Sequence, residues 1–363
     1  MRLLLKIFFF FLSLFSAKNN DIQYTKERKD ILDQYMDKTP KELFKVWHML
    51  FQKSYTFDSE EAKKRFQIFK ANLEQIKKTN SENKSYKLGL NQFSDMTNEE
   101  FRTKMATYKP IGEALEEMSN STNNEIKSEV KFLPADDEDD LTKRNLQTQI
   151  PINYSNYFRP SRDQSQCGGC WAFALTGAVE GNISKKRGIL SNYLSPQQLL
   201  DCVSGNLGCS GGDMRTGDNY IIAKGLMTES DYNFQGYTSN CRYNNLRPLT
   251  YITGYKYCSN ATRYKCSTSL IYSLLTKGPV AVTIDGASFG FQSYSSGIFS
   301  DYCSQVNHAL VLVGYGSSGL QNYYLLRNSW STSWGENGFI RVAVNPSNSY
   351  SCFIEYEAVF PVV

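Results

Sequence analysis

The stretch QSQCGGCWAF, residues 164–173, puts two cysteines three apart around a pair of glycines. That spacing suits a dithiol redox pair, half of a zinc site, or a disulfide cysteine standing beside a nucleophile. The histidines narrow the choice, because the chain has only two, His48 and His308. A zinc site of Cys and His needs four convergent ligands, whereas here the cysteines are scattered around a single histidine. Thiol nucleophilic catalysis needs a base, a group that orients the base, and donors for the developing oxyanion. Cys170 stands at an expected helix start, where free backbone N–H groups and the macrodipole favour thiolate. His308 in VNHAL offers an imidazole, and Asn328 in RNSW a carbonyl to fix its tautomer. Gln164 offers a side-chain amide to the oxyanion, beside the Cys170 N–H. Taken singly, each residue also fits a purely structural role.

These residues need elements to hold them. A helix is expected from near Cys170 towards Arg187, ending before Gly188. SPQQLL begins another, with Ser195 as N-cap, Pro196 at the first position and Gln198 closing a capping box. STSLIYSLLTKGP is a third, closed by Gly278 and Pro279. PVAVTI, ALVLVGYG, YYLLRN and GFIRVAV then read as strands. Helices first and strands later predict an α+β arrangement in two lobes, without the alternating βαβ units of a redox fold. Further upstream, residues 40–105 read as charged helices, with Phe66, Phe69, Leu73 and Ile76 at helical spacing. Between them lies a linker from Pro110 to Gln149 that includes the acid run DDEDD.

A net charge of +4 without a basic block gives no reason to expect nucleic acid or an anionic membrane as partner. Residues 1–17 read as a secretory signal, because the apolar run over 7–15 is far short of the roughly 20 residues that span a bilayer. All nine cysteines lie between Cys167 and Cys352. In an oxidising compartment an odd number leaves one thiol over. Sequons at Asn83, Asn120, Asn153, Asn182 and Asn260 fit the same secretory route.

With these blocks in view, the chain resembles the papain family of cysteine proteases, most closely its cathepsin-L-like members. QSQCGGCWAF, GCSGG at 208–212, NHALVLVGYG at 307–316 and RNSWSTSWGENGFIRV at 327–342 carry the resemblance, which covers nearly everything after the signal. Gly169 stands where Ser or Ala is usual. The resemblance implies a papain-like fold, with a helical left lobe, a β-barrel-like right lobe and a cleft between them. It implies Cys170 as nucleophile, His308 as acid and base, Asn328 as its orienter, and Gln164 with the Cys170 N–H as oxyanion hole. Trp330 would cover the Asn328–His308 hydrogen bond, keeping a thiolate–imidazolium pair dry. Implied disulfides are Cys167–Cys209, Cys202–Cys241 and Cys303–Cys352, with Cys258–Cys266 as an added local bridge. No cofactor or metal is implied.

By the same resemblance, substrate binds along Gly211 and Gly212, and the second residue before the scissile bond enters a pocket walled by Met214, Thr283 and Ala309 over Glu357. An apolar pocket takes Leu, Phe or Val, and an ionised floor also takes Arg or Lys. Glu61, Arg65, Phe69, Asn72, Ile76 and Asn80 match a proregion helix, and Gly89, Asn91, Phe93 and Asp95 the segment after it. The expected division is signal 1–17, inhibitory propeptide 18–108, acidic linker with the maturation site 109–149, and peptidase domain 150–363. The partners are peptide or protein substrates and the chain's own propeptide, released in acid, in a monomer lodged in a lysosome-like compartment or outside the cell. A single histidine in the expected peptidase domain and the cysteine-free proregion favour endopeptidase action. A silent binding homologue and an acyl-transfer enzyme are the alternatives on this fold. One departure stands out. Only PSRD separates Arg159 from Gln164, and Tyr157-Phe158 replaces Asp-Trp, so the leading strand is expected to be short or displaced.

Overall fold

A computed structural model describes residues 21–108, 132–134, 150–247, 249–259, 266–344 and 349–363. The signal, most of the acidic linker, the maturation site and the sequons at Asn120 and Asn260 lie outside the described residues. The N-terminal segment folds as α1 (Asp21–Asp33), α2 (Pro40–Leu50), α3 (Glu60–Ser81), β1 (Tyr86–Leu88) and α4 (Asn98–Met105). Local chemistry sets these boundaries. Thr39 and Thr97 each close a capping box, with Glu42 and Glu100, while Ser59 caps α3 by accepting from Ala62 N–H. The apolar stripe of α3 packs on α2, with Phe69 5.2 Å from both Phe44 and Trp47. The polar positions of α3 hold the next turn: Asn72 donates to the Ser94 and Met96 carbonyls, and Asn80 brackets the Leu88 peptide from both sides.

Next come β2 (Phe132–Pro134), β3 (Ile152–Asn153), α5 (Cys170–Arg187), α6 (Pro196–Cys202), α7 (Met214–Lys224), β4 (Gly254–Ser259) and α8 (Thr268–Lys277). The chain ends through β5 (Val280–Ile284), α9 (Phe289–Gln292), β6 (Tyr294–Phe299), β7 (His308–Ser318), β8 (Gln321–Arg327), β9 (Phe339–Ala343), α10 (Ser349–Phe353) and β10 (Glu357–Val362). The strands run in the order β1-β6-β9-β8-β7-β5-β10-β4-β2, with β3 on β7. Most neighbours are antiparallel; β6–β9 and β2–β4 are parallel. The N-terminal segment therefore joins the sheet through β1, with Tyr86 opposite Gly297.

α5 is buried from Cys170 to Ser184 and packs within one of two apolar cores. A Cβ at Gly177 would stand 2.9 Å from Val311, so this helix sits against β7 as closely as it does because residue 177 has no side chain. That core gathers around Trp171, Leu175 and Leu199, and a separate strand core around Phe291, Leu312 and Trp334. α5 stops at Gly188, whose φ of 70° suits glycine.

Two expectations change. Ser195 caps α6, but the capping box is only half formed, because Gln198 Oε1 accepts from Met227 N–H instead of reaching back. The Asn182 sequon is shut inside the fold, its amide donating to the Ala178 and Pro279 carbonyls. Asn83 and Asn153 are exposed. The four expected disulfides are formed, and Cys170 is the free cysteine. Among the described residues no helix is long and apolar enough to cross a membrane, and no group of Cys, His, Asp and Glu could hold a metal.

Candidate active site

Four of the singled-out side chains meet where α5 begins and β7 and β8 pass. Cys170 is the first residue of α5, and the backbone N–H groups of Ala309, Trp171 and Cys170 itself favour charge on its sulfur. Ala309 follows His308, so the thiol and the imidazole share one end of the sheet. His308 Nε2 lies 2.9 Å from Asn328 Oδ1. Because Oδ1 also accepts from Ser329 N–H at 2.8 Å, the oxygen is the end that faces the ring. Nε2 therefore donates, and Nδ1, without a partner of its own, carries the lone pair. Trp330 stacks on the imidazole at 4.6 Å. Gln164 is fully buried; it donates to Cys167 O at 2.9 Å and its Oε1 accepts from Ser329 Oγ.

The shortened stretch before Gln164 braces this group. β3 has only two residues on β7. Ser161 Oγ donates to Asn328 O, Asp163 bridges to Trp330, and partly buried Arg162 holds Glu180 at 2.8 Å and Glu229 at 2.7 Å. These braces, and the Ser329 hydroxyl, escaped the sequence reading. Only Ser329 left a trace, as the neighbour of Asn328 in RNSW.

The N-terminal segment covers the whole cleft. Asn91 donates to Gln292 O at 2.7 Å, Gln92 donates to Trp330 O, and Phe93 and Phe101 meet the Trp330 ring edge to face at 5.4 and 5.1 Å. Farther along, Thr107 Oγ1 donates to Gly168 O at 3.1 Å. A Cβ at Gly168 would stand 2.0 Å from that hydroxyl, so the glycine gives the passing chain its room. Tyr108 N–H donates to Asn307 O, and its hydroxyl donates to Glu357 Oε2 at 2.8 Å. Tyr108 shares an apolar cluster with Met214, Ala309 and Tyr257, and Thr283 lies opposite Ala309 in the β5–β7 ladder. Gly211 accepts from Leu207 N–H, and Gly212 packs on Trp171. No sequence signal marked Tyr108.

Covering changes the electrostatics. Burial pushes the Cys170 thiol up to about 12 and the His308 imidazole down to about 4, so the covered pair is neutral thiol and neutral imidazole. In this closed form desolvation works against the thiolate expected from the helix start, and the neighbouring backbone N–H groups favour it. Burial, with Asp213 adding, likewise raises Glu357 to about 8.

Comparisons place this arrangement. The Papain family cysteine protease model matches residues 148–362, and the Cathepsin propeptide inhibitor domain (I29) matches residues 44–101. Digestive cysteine proteinase 1 of Homarus americanus is 36% identical over 317 residues, covering 84% of this chain and 90% of that protein. Cathepsin L-like proteinase of Fasciola hepatica is 35% identical over 331 residues, covering 89% and 93%. The digestive procathepsin L 3 of Tenebrio molitor larval midgut superposes with a TM-score of 0.72 at 32% identity, over 90% of this chain and 100% of that one. With the catalytic-domain and propeptide models both matched and whole-length relatives above 30% identity, the chain belongs to the papain family of cysteine proteases and is made as a zymogen with a cathepsin-type propeptide.

Proposed function

We propose that the chain is an endopeptidase in which Cys170 is the nucleophile, His308 its base and acid, Asn328 the orienter and Gln164 an oxyanion donor. The observation that carries this is the fixed tautomer of His308, whose lone pair is left on Nδ1 by the Asn328 bond. Once the cleft is open, the Cys170 proton passes to Nδ1 and the sulfur attacks the scissile carbonyl carbon. The oxyanion is held by the second Gln164 Nε2 hydrogen and the Cys170 N–H. Collapse breaks the C–N bond, His308 protonates the leaving amine, and water then hydrolyses the thioester, returning the proton to the dyad.

These roles set a direction. The amino side of a substrate lies at the Glu357 pocket and the leaving amine beside His308 and Trp330. The propeptide runs the other way, from Phe93 at Trp330 to Tyr108 at Glu357. It fills the subsites without offering a correctly oriented bond. Tyr108 in the pocket supports a preference for hydrophobic side chains, and Glu357 beneath it supports acceptance of Arg or Lys. The secretory disulfide pattern supports action in an acidic vesicle or outside the cell.

The test is cleavage of Phe-Arg and Arg-Arg reporter peptides after acid activation. Cys170→Ser is expected to abolish both activities, and Glu357→Ala to lose mainly the second. Retained hydrolysis in Cys170→Ser would refute the assignment.

A further inference from the structure

The chain reaches His308 through a strap, residues 303–307, and one carboxylate holds that strap. Asp285, the residue after β5, is 3% exposed and takes no part in the chemistry proposed above. Its Oδ2 accepts from Ser304 N–H at 2.7 Å, Ser304 Oγ at 3.1 Å and Gln305 N–H at 3.3 Å. Its Oδ1 accepts from Asn307 Nδ2 at 2.7 Å and Ala287 N–H at 3.1 Å. Donors therefore face both oxygens, and three of the residues that supply them lie just before His308.

The same clasp reaches the histidine. Asn307 Oδ1 accepts from Gly286 N–H at 2.8 Å and Asn307 N–H donates to Ile284 O at 3.2 Å, so residue 307 is tied to residues 284, 285 and 286. His308 stands opposite Ile284 in the β5–β7 ladder. A Cβ at Gly286 would stand 2.9 Å from His308 Cβ and 3.1 Å from its Cγ and Cδ2, so the turn after β5 rests directly on this side chain. At the far end of the strap Cys303 is bridged to Cys352, whose carbonyl accepts from Asp285 N–H at 3.2 Å. Asn328 fixes the tautomer of the ring; the strap fixes where the ring is carried. A displacement of about 1 Å in a reacting group can cost roughly a hundredfold in rate.

We infer that Asp285 is a positioning residue for the reaction, holding the His308 imidazole in place against Cys170 through Asn307 and the strap. This rests on the reading of Cys170 and His308 as nucleophile and base. An amide at position 285 cannot stand in for the acid. Whichever way it turns, its NH2 group faces donors, either Asn307 Nδ2 and the Ala287 N–H or the Ser304 and Gln305 N–H groups. Exchanging the two side chains, Asp285→Asn with Asn307→Asp, restores the match. The amide then donates to the new carboxylate, its oxygen keeps the strap donors and the Gly286 N–H keeps an acceptor; only the Ala287 N–H loses one.

The experiment uses the acid-activated enzyme and reads kcat and KM on a reporter peptide together with the rate of Cys170 alkylation by iodoacetamide, a reagent too small to need the substrate subsites. Asp285→Asn and Asn307→Asp are each expected to lower kcat and the alkylation rate about tenfold, with KM within about twofold. The double exchange is expected to bring both rates back to within about threefold of the unaltered enzyme. Single variants that match the unaltered enzyme overturn the inference. So does a double exchange that regains the melting temperature without regaining kcat and the alkylation rate, since Asp285 would then support the fold alone. Should the single variants not fold, Ser304→Ala, which removes one hydroxyl from the strap, is expected to lower both rates about threefold, and no change would overturn the inference. If the unaltered activated enzyme is not alkylated at Cys170, the reading of the dyad fails; if it is and the variants match it, only this inference fails.

Discussion

At Gln164 the amide is fully committed except for one hydrogen: Oε1 accepts from Ser329 and one Nε2 hydrogen goes to Cys167 O. Gln164→Ala is therefore expected to lower kcat about a hundredfold, as for loss of one oxyanion donor, with KM little changed. A rise in KM at constant kcat would place Gln164 in ground-state binding instead. Glu357 gives a pH prediction. Its neutral form persists to about 8 in the plugged pocket, where Asp213 and Arg215 of the α7 start, Tyr257 of β4 and Tyr108 face it. Being an acid with a raised pKa, it gains charge as pH rises through that value. In the activated enzyme the ratio of Arg to Leu cleavage should climb with pH as Glu357 ionises, and a flat ratio would contradict this. Cys170, His308 and Asn328 were legible because each sits in a long motif.

Among the elements, the propeptide helices are where the proposed acid activation is expected to act. Arg65 joins Glu61 at 2.6 Å within α3 and Glu100 at 2.8 Å across to α4. Partial burial pushes the Glu100 carboxyl up, but the Thr97 N–H and Arg65 outweigh it and hold it below its ordinary value. A depressed carboxyl contributes stability above its unfolded pKa and loses it as pH falls through the folded one. The Tyr108–Glu357 contact has the opposite sign, since Glu357 is raised and holds its proton in acid. On this reading, release in acid is expected to begin in the propeptide helices, not at the plug. Glu100→Gln is expected to move autoactivation, followed by gel shift against pH, to a higher pH; an unmoved threshold would exclude this pair as the trigger. The periodicity of α3 made its buried stripe readable. Gln198 misled because its amide found the Met227 and Gly225 backbone, a tertiary choice that no local pattern encodes.

For the whole molecule, the propeptide does more than obstruct. It lies over a cleft in which burial raises the Cys170 thiol and lowers the His308 imidazole, both shifts away from the charged pair. The two-part architecture was readable from the cysteine-free N-terminal stretch and the strand-rich remainder. The reversed path was not, since it depends on where Phe93 and Tyr108 land on a surface formed by residues 200 or more positions later. The shortened leading segment was recognised as a departure, but its compensation is spatial: Ser161 holds Asn328 and Arg162 bridges Glu180 and Glu229. The most direct measurement is labelling by a thiol-directed epoxide, read by mass spectrometry of the modified peptide. The account predicts negligible labelling of the zymogen at neutral pH and stoichiometric labelling at Cys170 after acid activation, lost in Cys170→Ser. Equal labelling before and after activation, or none at Cys170 in the activated enzyme, would contradict it.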